Sequence, residues 1–416
     1  MVTLISCVGF SDPFRNSHDG PLLHIVRSKK PDKIVLIFSA GTIQNREKII
    51  AAISSVTENY VPTIVTDTTL IKDEDTPYFD KMFETLYGKV MQYFSSGEKI
   101  ILNLSSGTPA METALFSVNR ILGLNVNAYQ VKTPANDSNE YISFDSSRFI
   151  EMKNTETSAE ATRNRLRRDK GEKFEQILFK ESIKQFIYEY DYLSAYELIN
   201  NSHIFSTNKE LLDRLKQFVF AVKYQQIIPA VKLENYNHDE TKLLNSFLIF
   251  LLQVKRNMTS EIVIRGRNLT EFICELYFNR NYPGLIRYDE NDVPILNEND
   301  FYKVKNQLDS SNNANSRASF LSYPTYREIL FILGDLNVKT TLDQLSIFDI
   351  RNQIAHNFNE IPHKRLKTLL KFYPTNNSYE IVNRLLDLMK FVFDINEQWL
   401  NFFDEENKEL ISLLEK

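Results

Sequence analysis

KIILNLSSGTPAMETALFSVNRIL, Lys99 to Leu122, joins an apolar run, a turn rich in hydroxyls and a helical pattern without a break. Lys99 to Leu104 has the length and composition of a buried strand, and the apolar residues of Ala110 to Leu122 recur at helical spacing. Between them, Gly107 permits a tight turn and Pro109 suits the first turn of the helix that follows. Ser105, Ser106 and Thr108 add hydroxyls to the free backbone N–H groups of a helix N-terminus, so the loop can hold a phosphate or a ribose. The same residues also make an ordinary helix cap.

Working outward, the same alternation fills the chain from residue 1 to about 150. Strand-like runs at Thr3 to Val8, Lys33 to Phe38, Thr63 to Thr66 and Asn127 to Val131 are separated by helical patterns such as Arg46 to Thr57 and Tyr78 to Phe94. Alternation of this kind predicts an α/β Rossmann-like domain, a parallel sheet with helices on both faces. Ligands of such sheets bind beyond the carboxyl ends of the strands. The turns there are Gly9 to Pro13 (GFSDP), Ser39 to Thr42 (SAGT) and the Ser105 to Pro109 loop. No Walker A lysine and no GxGxxG followed by an acidic residue occurs, which argues against nucleoside triphosphate hydrolysis and dinucleotide redox chemistry.

Beyond about residue 160 the periodicity is helical, with segments near Glu172 to Tyr190, Leu193 to Asn200, Lys209 to Tyr224, Thr241 to Lys255 and Ser260 to Phe278. Between the halves runs a basic stretch, Arg163 to Lys170, which fits a solvated helix start, a linker or a nucleic-acid contact. Ser310 to Ser316 (SSNNANS) has the composition of a surface loop.

The whole chain of 416 residues exceeds one ordinary core, and 43% hydrophobic with 25% charged residues is the composition of a folded protein. A net charge of −5 provides no global attraction to nucleic acid, so an RNA contact must be local. Two cysteines, Cys7 and Cys274, far apart, rule out a disulfide framework and Cys-based zinc spacing and suit a reducing compartment. The N-terminus reads as a strand rather than a signal peptide, and no apolar run approaches the roughly 20 residues of a membrane span, so the expected location is cytoplasmic.

Near the C-terminus, Ile347, Ile350, Ile354 and Phe358 mark one apolar helical face around RNQIAH, Arg351 to His356. Asn352 and His356 stack on another face, with Arg351 on the preceding turn. Breaking RNA without a metal needs a group to move protons between the 2′-hydroxyl and the 5′-oxygen, and a cation for the charge on the phosphorane. An imidazole and a guanidinium suit those tasks, and Asn352 could fix the tautomer of His356. The spacing alone also fits a surface histidine beside a salt-bridging arginine.

Together, the SSGTPAM loop, the hydroxyl-rich turn after the first strand and RNQIAH resemble the CARF-HEPN ribonucleases that accompany type III CRISPR systems, over the whole chain and in the same order. The resemblance implies a CARF ligand-sensing domain at 1–155, a helical connector at 156–255 and an all-α HEPN ribonuclease domain at 256–416. Arg351, Asn352 and His356 fall on the catalytic motif. Ser105, Ser106, Gly107, Thr108 and Pro109 fall on the ligand loop, with Ser11, Asp12 and Thr42 as further contacts. It further implies a homodimer whose two motifs form one site, and cleavage of single-stranded RNA to a 2′,3′-cyclic phosphate and a 5′-hydroxyl, with no metal, no cofactor, no membrane contact and no stable DNA complex. The activator would be a cyclic oligoadenylate, hexa- or tetra-adenylate, which some members also cut in the CARF domain. Three rival functions are a ligand-sensing regulator or binding module without nuclease activity, a constitutive toxin-type ribonuclease and a Rossmann-type enzyme with a small cofactor.

Overall fold

The computed structural model describes residues 1–15, 18–57, 59–67, 69–123, 126–133, 164–202, 208–232, 236–310, 321–346, 348, 370–374 and 378–416. They fall into two compact units, Met1–Glu175 and Gln176–Lys416.

The first unit is built on one sheet. Its elements in chain order are β1 (Val2–Cys7), a small hairpin of β2 (Phe14–Arg15) and β3 (His18–Asp19), α1 (Pro21–Lys29), β4 (Lys33–Ile37), α2 (Arg46–Ser54), β5 (Thr63–Thr66), α3 (Phe79–Phe94), β6 (Lys99–Asn103), α4 (Pro109–Leu122), β7 (Val126–Val131) and β8 (Leu166–Asp169). The sheet order is β5-β4-β1-β6-β7-β8, parallel except for the last pair. From β1 the chain moves outward through β4 and β5, and α3 then carries it back to place β6 on the other side of β1. The carboxyl ends of β1 and β6 therefore flank the point where the winding reverses.

Side chains alternate across this sheet, as a strand period of two demands. Leu4, Ile34 and Leu36 pack with Leu22, Ile25, Ile49 and Ile53 of α1 and α2, while Ile5, Val35, Ile100 and Leu102 pack with Met82, Leu86, Leu115 and Val118 of α3 and α4. Burial on both faces is why the strands read as nearly continuous apolar runs.

The basic stretch differs from its sequence-based expectation. Its described residues, 164–170, contain neither a helix start nor a linker, because Leu166–Asp169 forms β8, antiparallel to β7 with Tyr129 opposite Arg168 and Gln130 opposite Arg167. Leu166 packs against the apolar cluster under α1 and α2, whereas Arg167 and Arg168 are exposed on the sheet edge, where charge discourages pairing with another chain. Arg120 of α4 fixes the returning strand from the side. Its guanidinium donates to the Lys170 carbonyl at 2.8 Å and pairs with the Asp169 carboxylate at 3.4 Å. The unit accordingly continues through Glu175.

The second unit is dominated by helices, including Tyr192–Asn200, Lys209–Tyr224, His238–Lys255, Thr259–Asn281, Tyr323–Leu333, Leu336–Asp343, Glu380–Met389 and Phe402–Glu415. Two short antiparallel pairs, Ile286–Tyr288 with Pro294–Leu296 and Phe372–Tyr373 with Ser378–Tyr379, interrupt them. One apolar cluster runs from Ile183 to Leu414, with Phe247, Phe250, Phe278, Tyr323, Tyr326 and Phe403 fully buried. Arg351, Asn352 and His356 lie outside the described residues, as does the polar stretch after Ser310. Among the described residues, no helix is long and apolar enough to cross a membrane.

Candidate functional site

The loops after β1 and β6 meet at the reversal point. A Cβ placed on Gly9 would lie 2.8 Å from the Gly107 nitrogen, so the two backbones touch only because position 9 has no side chain. Gly107 itself has φ +112, and a Cβ there would meet Met111 Sδ at 2.9 Å and Cys7 Cβ at 3.1 Å. Both glycines are required by close approach, and Gly107 by its backbone conformation as well.

Under these loops Asn103, wholly buried, ties three segments together. Its Nδ2 donates to Ser6 Oγ at 2.9 Å and to Ser106 Oγ at 2.8 Å, and its Oδ1 accepts from the Ser105 N–H at 3.0 Å. Asp12, also buried, accepts from the Gly9 N–H and from the Leu22 N–H at the start of α1, each at 3.1 Å. Burial raises its carboxyl from 3.8 to about 6, against the opposing pull of the hydrogen bonds from Gly9, Ser106 and Leu22.

A carboxyl raised in the folded chain takes up its proton there before the unfolded chain does. Its contribution to stability is therefore greatest below about pH 4, falls as pH rises towards about 6 and is flat above. Relative to Asp12→Asn, the N-terminal unit is expected to lose up to about 3 kcal/mol across that window. Hydrogen exchange of the β1 and β6 amides between pH 4 and 7 reads this, and identical trends in both proteins would count against it.

Beside the loops lies a cleft of about 270 Å³ lined by Ser11, His18, Asp19, Gly20, Ser105, Glu112, Lys132 and Arg165, among others. The Ser105 hydroxyl accepts from the Val131 N–H at 2.9 Å, which leaves its O–H as a donor. Arg165 is held by three elements: its guanidinium donates to the carbonyls of Lys132 at 3.0 Å and Asp19 at 2.8 Å, and its backbone N–H donates to His24 Nε2 at 3.3 Å. Burial raises the Glu112 carboxyl. With His18, Lys132 and Arg165 against Asp19 and Glu112, the cleft offers donors for an anion and acceptors for the edge of a base.

Of the residues expected to hold a ligand, the fold brings Ser11 and Ser105 to one cleft and sets Asp12, Ser106 and Gly107 in the framework beneath. Thr42 is elsewhere, buried in the turn after β4, where its hydroxyl accepts from the Ser39 N–H at 2.9 Å. Thr108 caps α4 by accepting from the Met111 N–H at 3.4 Å and donates to the Thr76 carbonyl at 2.7 Å, and Pro109 is exposed at the first helical position. Sequence reasoning missed Asn103, Glu112, Lys132 and Arg165. A polar residue inside the apolar KIILNL run was the available signal for Asn103, whereas Arg165 was hidden in a basic stretch that looked like surface. Among the described residues, no group of three or more His, Cys, Asp and Glu side chains could hold a metal ion.

Two family models match the chain, the Cas_Csm6 CARF domain over residues 63–166 and the Cas_Csm6 HEPN domain over 232–411. A CRISPR system endoribonuclease Csm6′ of Streptococcus thermophilus is 31% identical over 418 residues, covering 100% of both chains. The chain belongs to the Csm6 family. A second Csm6 endoribonuclease of S. thermophilus is 32% identical over 438 residues, again with full coverage. The Csm6 of Enterococcus italicus, solved bound to cyclic hexa-2′-fluoro-hexa-dAMP, superposes with a TM-score of 0.69 at 27% identity, covering 99% of this chain and 100% of that one. The Csm6 HEPN match starts at 232, inside the segment the sequence reading gave to a connector, and it includes Arg351, Asn352 and His356.

Proposed function

We propose that this Csm6-family endoribonuclease is switched on by a cyclic oligoadenylate bound at the carboxyl edge of the N-terminal sheet, and that it then cuts single-stranded RNA without a metal ion in type III CRISPR antiviral defence. The observation carrying this is the convergence of the β1 and β6 loops, with Ser11 and Ser105, on a cleft at the reversal point of the sheet. The cyclic nucleotide bound by the E. italicus relative supports the choice of ligand. In this reading Ser11 and Ser105 contact the ring, Asp12, Ser106 and Gly107 hold the loops in place, and Thr42 acts through its own turn.

Cleavage is assigned to the RNQIAH motif. His356 moves protons between the 2′-hydroxyl and the leaving oxygen, Arg351 stabilises the phosphorane, and Asn352 orients the imidazole. Two copies of the chain, paired in the cytoplasm, supply the two motifs of one site. The sensor must bind its ring more tightly in the active arrangement, since a ligand with equal affinity for both shifts nothing.

Purified protein mixed with a fluorogenic single-stranded RNA in EDTA, with and without cyclic tetra- and hexa-adenylate, tests this reading. Cutting in the presence of one ring and not without it is the expected result. An intact RNA with both rings overturns it, and equal rates with and without activator favour a constitutive ribonuclease.

Thr108 is assigned a second task, positioning the ring for slow cleavage in the sensor domain. Thr108→Ala removes the cap of α4 and the tie to Thr76, a loss of about 1 kcal/mol in local stability. Activator decay should slow by more than activator affinity falls. Equal losses in the two would leave Thr108 with a structural task alone.

A further inference from the structure

The chain that leads into the RNQIAH motif is pinned at three carbonyls. Tyr323, fully buried, donates its hydroxyl to the Leu342 carbonyl at 2.6 Å. Arg384 donates to the Gln344 carbonyl at 2.8 Å. Arg267 donates to the Phe348 carbonyl at 3.4 Å, and Phe348 stands three positions before Arg351 in the sequence.

Arg267 is the most constrained of the three. It is 7% exposed, its Nε donates to Glu271 at 2.7 Å, and its guanidinium lies 4.5 Å from the centre of the Tyr323 ring. Glu271 in turn accepts from the Tyr323 N–H at 2.8 Å, so one carboxylate fixes both the guanidinium and the start of the helix beneath it. The neighbouring residue fixes the ring of Phe348. A Cβ on Gly266 would stand 2.2 Å from Phe348 Cζ, and Phe348 is wholly buried, so the ring fills the space that the missing side chain leaves. Backbone and side chain of Phe348 are thus held by adjacent residues of one helix, Thr259–Asn281.

A buried guanidinium and a glycine socket converge on Phe348. We propose that Arg267, with Gly266, is a positioning residue for RNA cleavage, setting the entry of the motif segment through Phe348. The proposal rests on the assignment of Arg351 and His356 as the cleaving pair. Displacing a reacting group by about 1 Å can lower a rate by up to about 10²-fold, so an anchor three residues away has a measurable effect.

The test uses the full-length protein with saturating activator and the fluorogenic RNA. Arg267→Lys retains a donor for Glu271 but has no second arm to reach the Phe348 carbonyl. It is expected to lower the urea midpoint modestly, because a buried hydrogen bond is lost, and to keep activator affinity and KM while kcat per folded molecule falls about tenfold. Gly266→Ala displaces the buried ring and is expected to lower the urea midpoint as well, so its fall in kcat is read per folded molecule. Wild-type kcat in Arg267→Lys, or a loss confined to KM or tracking the unfolded fraction in both variants, overturns the proposal. His356→Ala run alongside separates the two readings: an active His356→Ala removes the underlying assignment, whereas an inactive one beside a fully active Arg267→Lys removes only this inference.

Discussion

Replacing His356 with alanine is expected to lower activator-stimulated RNA cutting by about 10²- to 10⁴-fold, the range that a positioned proton-transfer group contributes. Transesterification by the 2′-hydroxyl requires a proton to leave that oxygen and another to reach the departing 5′-oxygen. Under the proposed pairing of two motifs, one imidazole enters neutral to take the first proton and the other enters charged to give the second, which predicts a rate that falls on both sides of an optimum near neutral pH. Alanine has neither form, so the profile should flatten as the rate collapses. Activator affinity should be unchanged, because the cleft proposed for the ring is built from residues of the other unit. Arg351→Ala should lower kcat with the pH optimum retained, since a guanidinium stabilises charge without titrating. The measurements are kcat of each variant from pH 5 to 9 and activator affinity by calorimetry. Wild-type cutting by His356→Ala would remove the nuclease site from this motif.

A second large effect is expected at Gly20, in the first unit. A Cβ at this position would stand 2.2 Å from the Ser11 carbonyl oxygen, 2.9 Å from Asp12 Oδ1 and 3.0 Å from the Pro13 carbonyl oxygen. The backbone at Gly20, with φ −64 and ψ 166, is open to any residue, so the obstacle is contact and not conformation. Ser11 and Pro13 present main-chain atoms, which cannot swing aside as a long side chain can. The Gly20 N–H donates to that Pro13 carbonyl at 2.7 Å, so pushing the loop away also breaks a buried hydrogen bond. Gly20→Ala should destabilise the first unit by about 3 kcal/mol and raise the activator concentration needed for half-maximal cutting by at least about tenfold. The cutting rate at saturating activator should change much less. Unaltered hydrogen exchange at β1 and an unaltered activator response would show that the loop yields more easily than its contacts imply.

The strands and the turns that follow them were legible in sequence for one reason. A parallel sheet buried on both faces needs continuous apolar runs, and its turns need Gly, Pro and hydroxyls, so KIILNL followed by SSGTP carries element and boundary together. The short helix Pro21–Lys29 carried no such signal in the reading, because Leu22 to Val26 is a near-continuous apolar run, buried throughout, in which no helical period stands out. Strand β8 was misread for the opposite reason. Charge dominates Leu166–Asp169, and what makes it a strand is its partner, β7, more than thirty residues earlier in the chain.

By itself the sequence determined that an α/β fold precedes a helical half, and it supplied the residue types, in the turns after β1 and β6 and in RNQIAH, on which the proposed roles rest. These are local properties, set by spacing along one stretch of chain. Only the tertiary structure decided that Ser11 and Ser105 share a cleft while Thr42 does not, that Arg165 returns to its wall, and that Arg267 and Gly266 grip Phe348. Each of those facts joins residues far apart in the chain, and such contacts depend on the order of strands and the packing of helices, which no local spacing encodes.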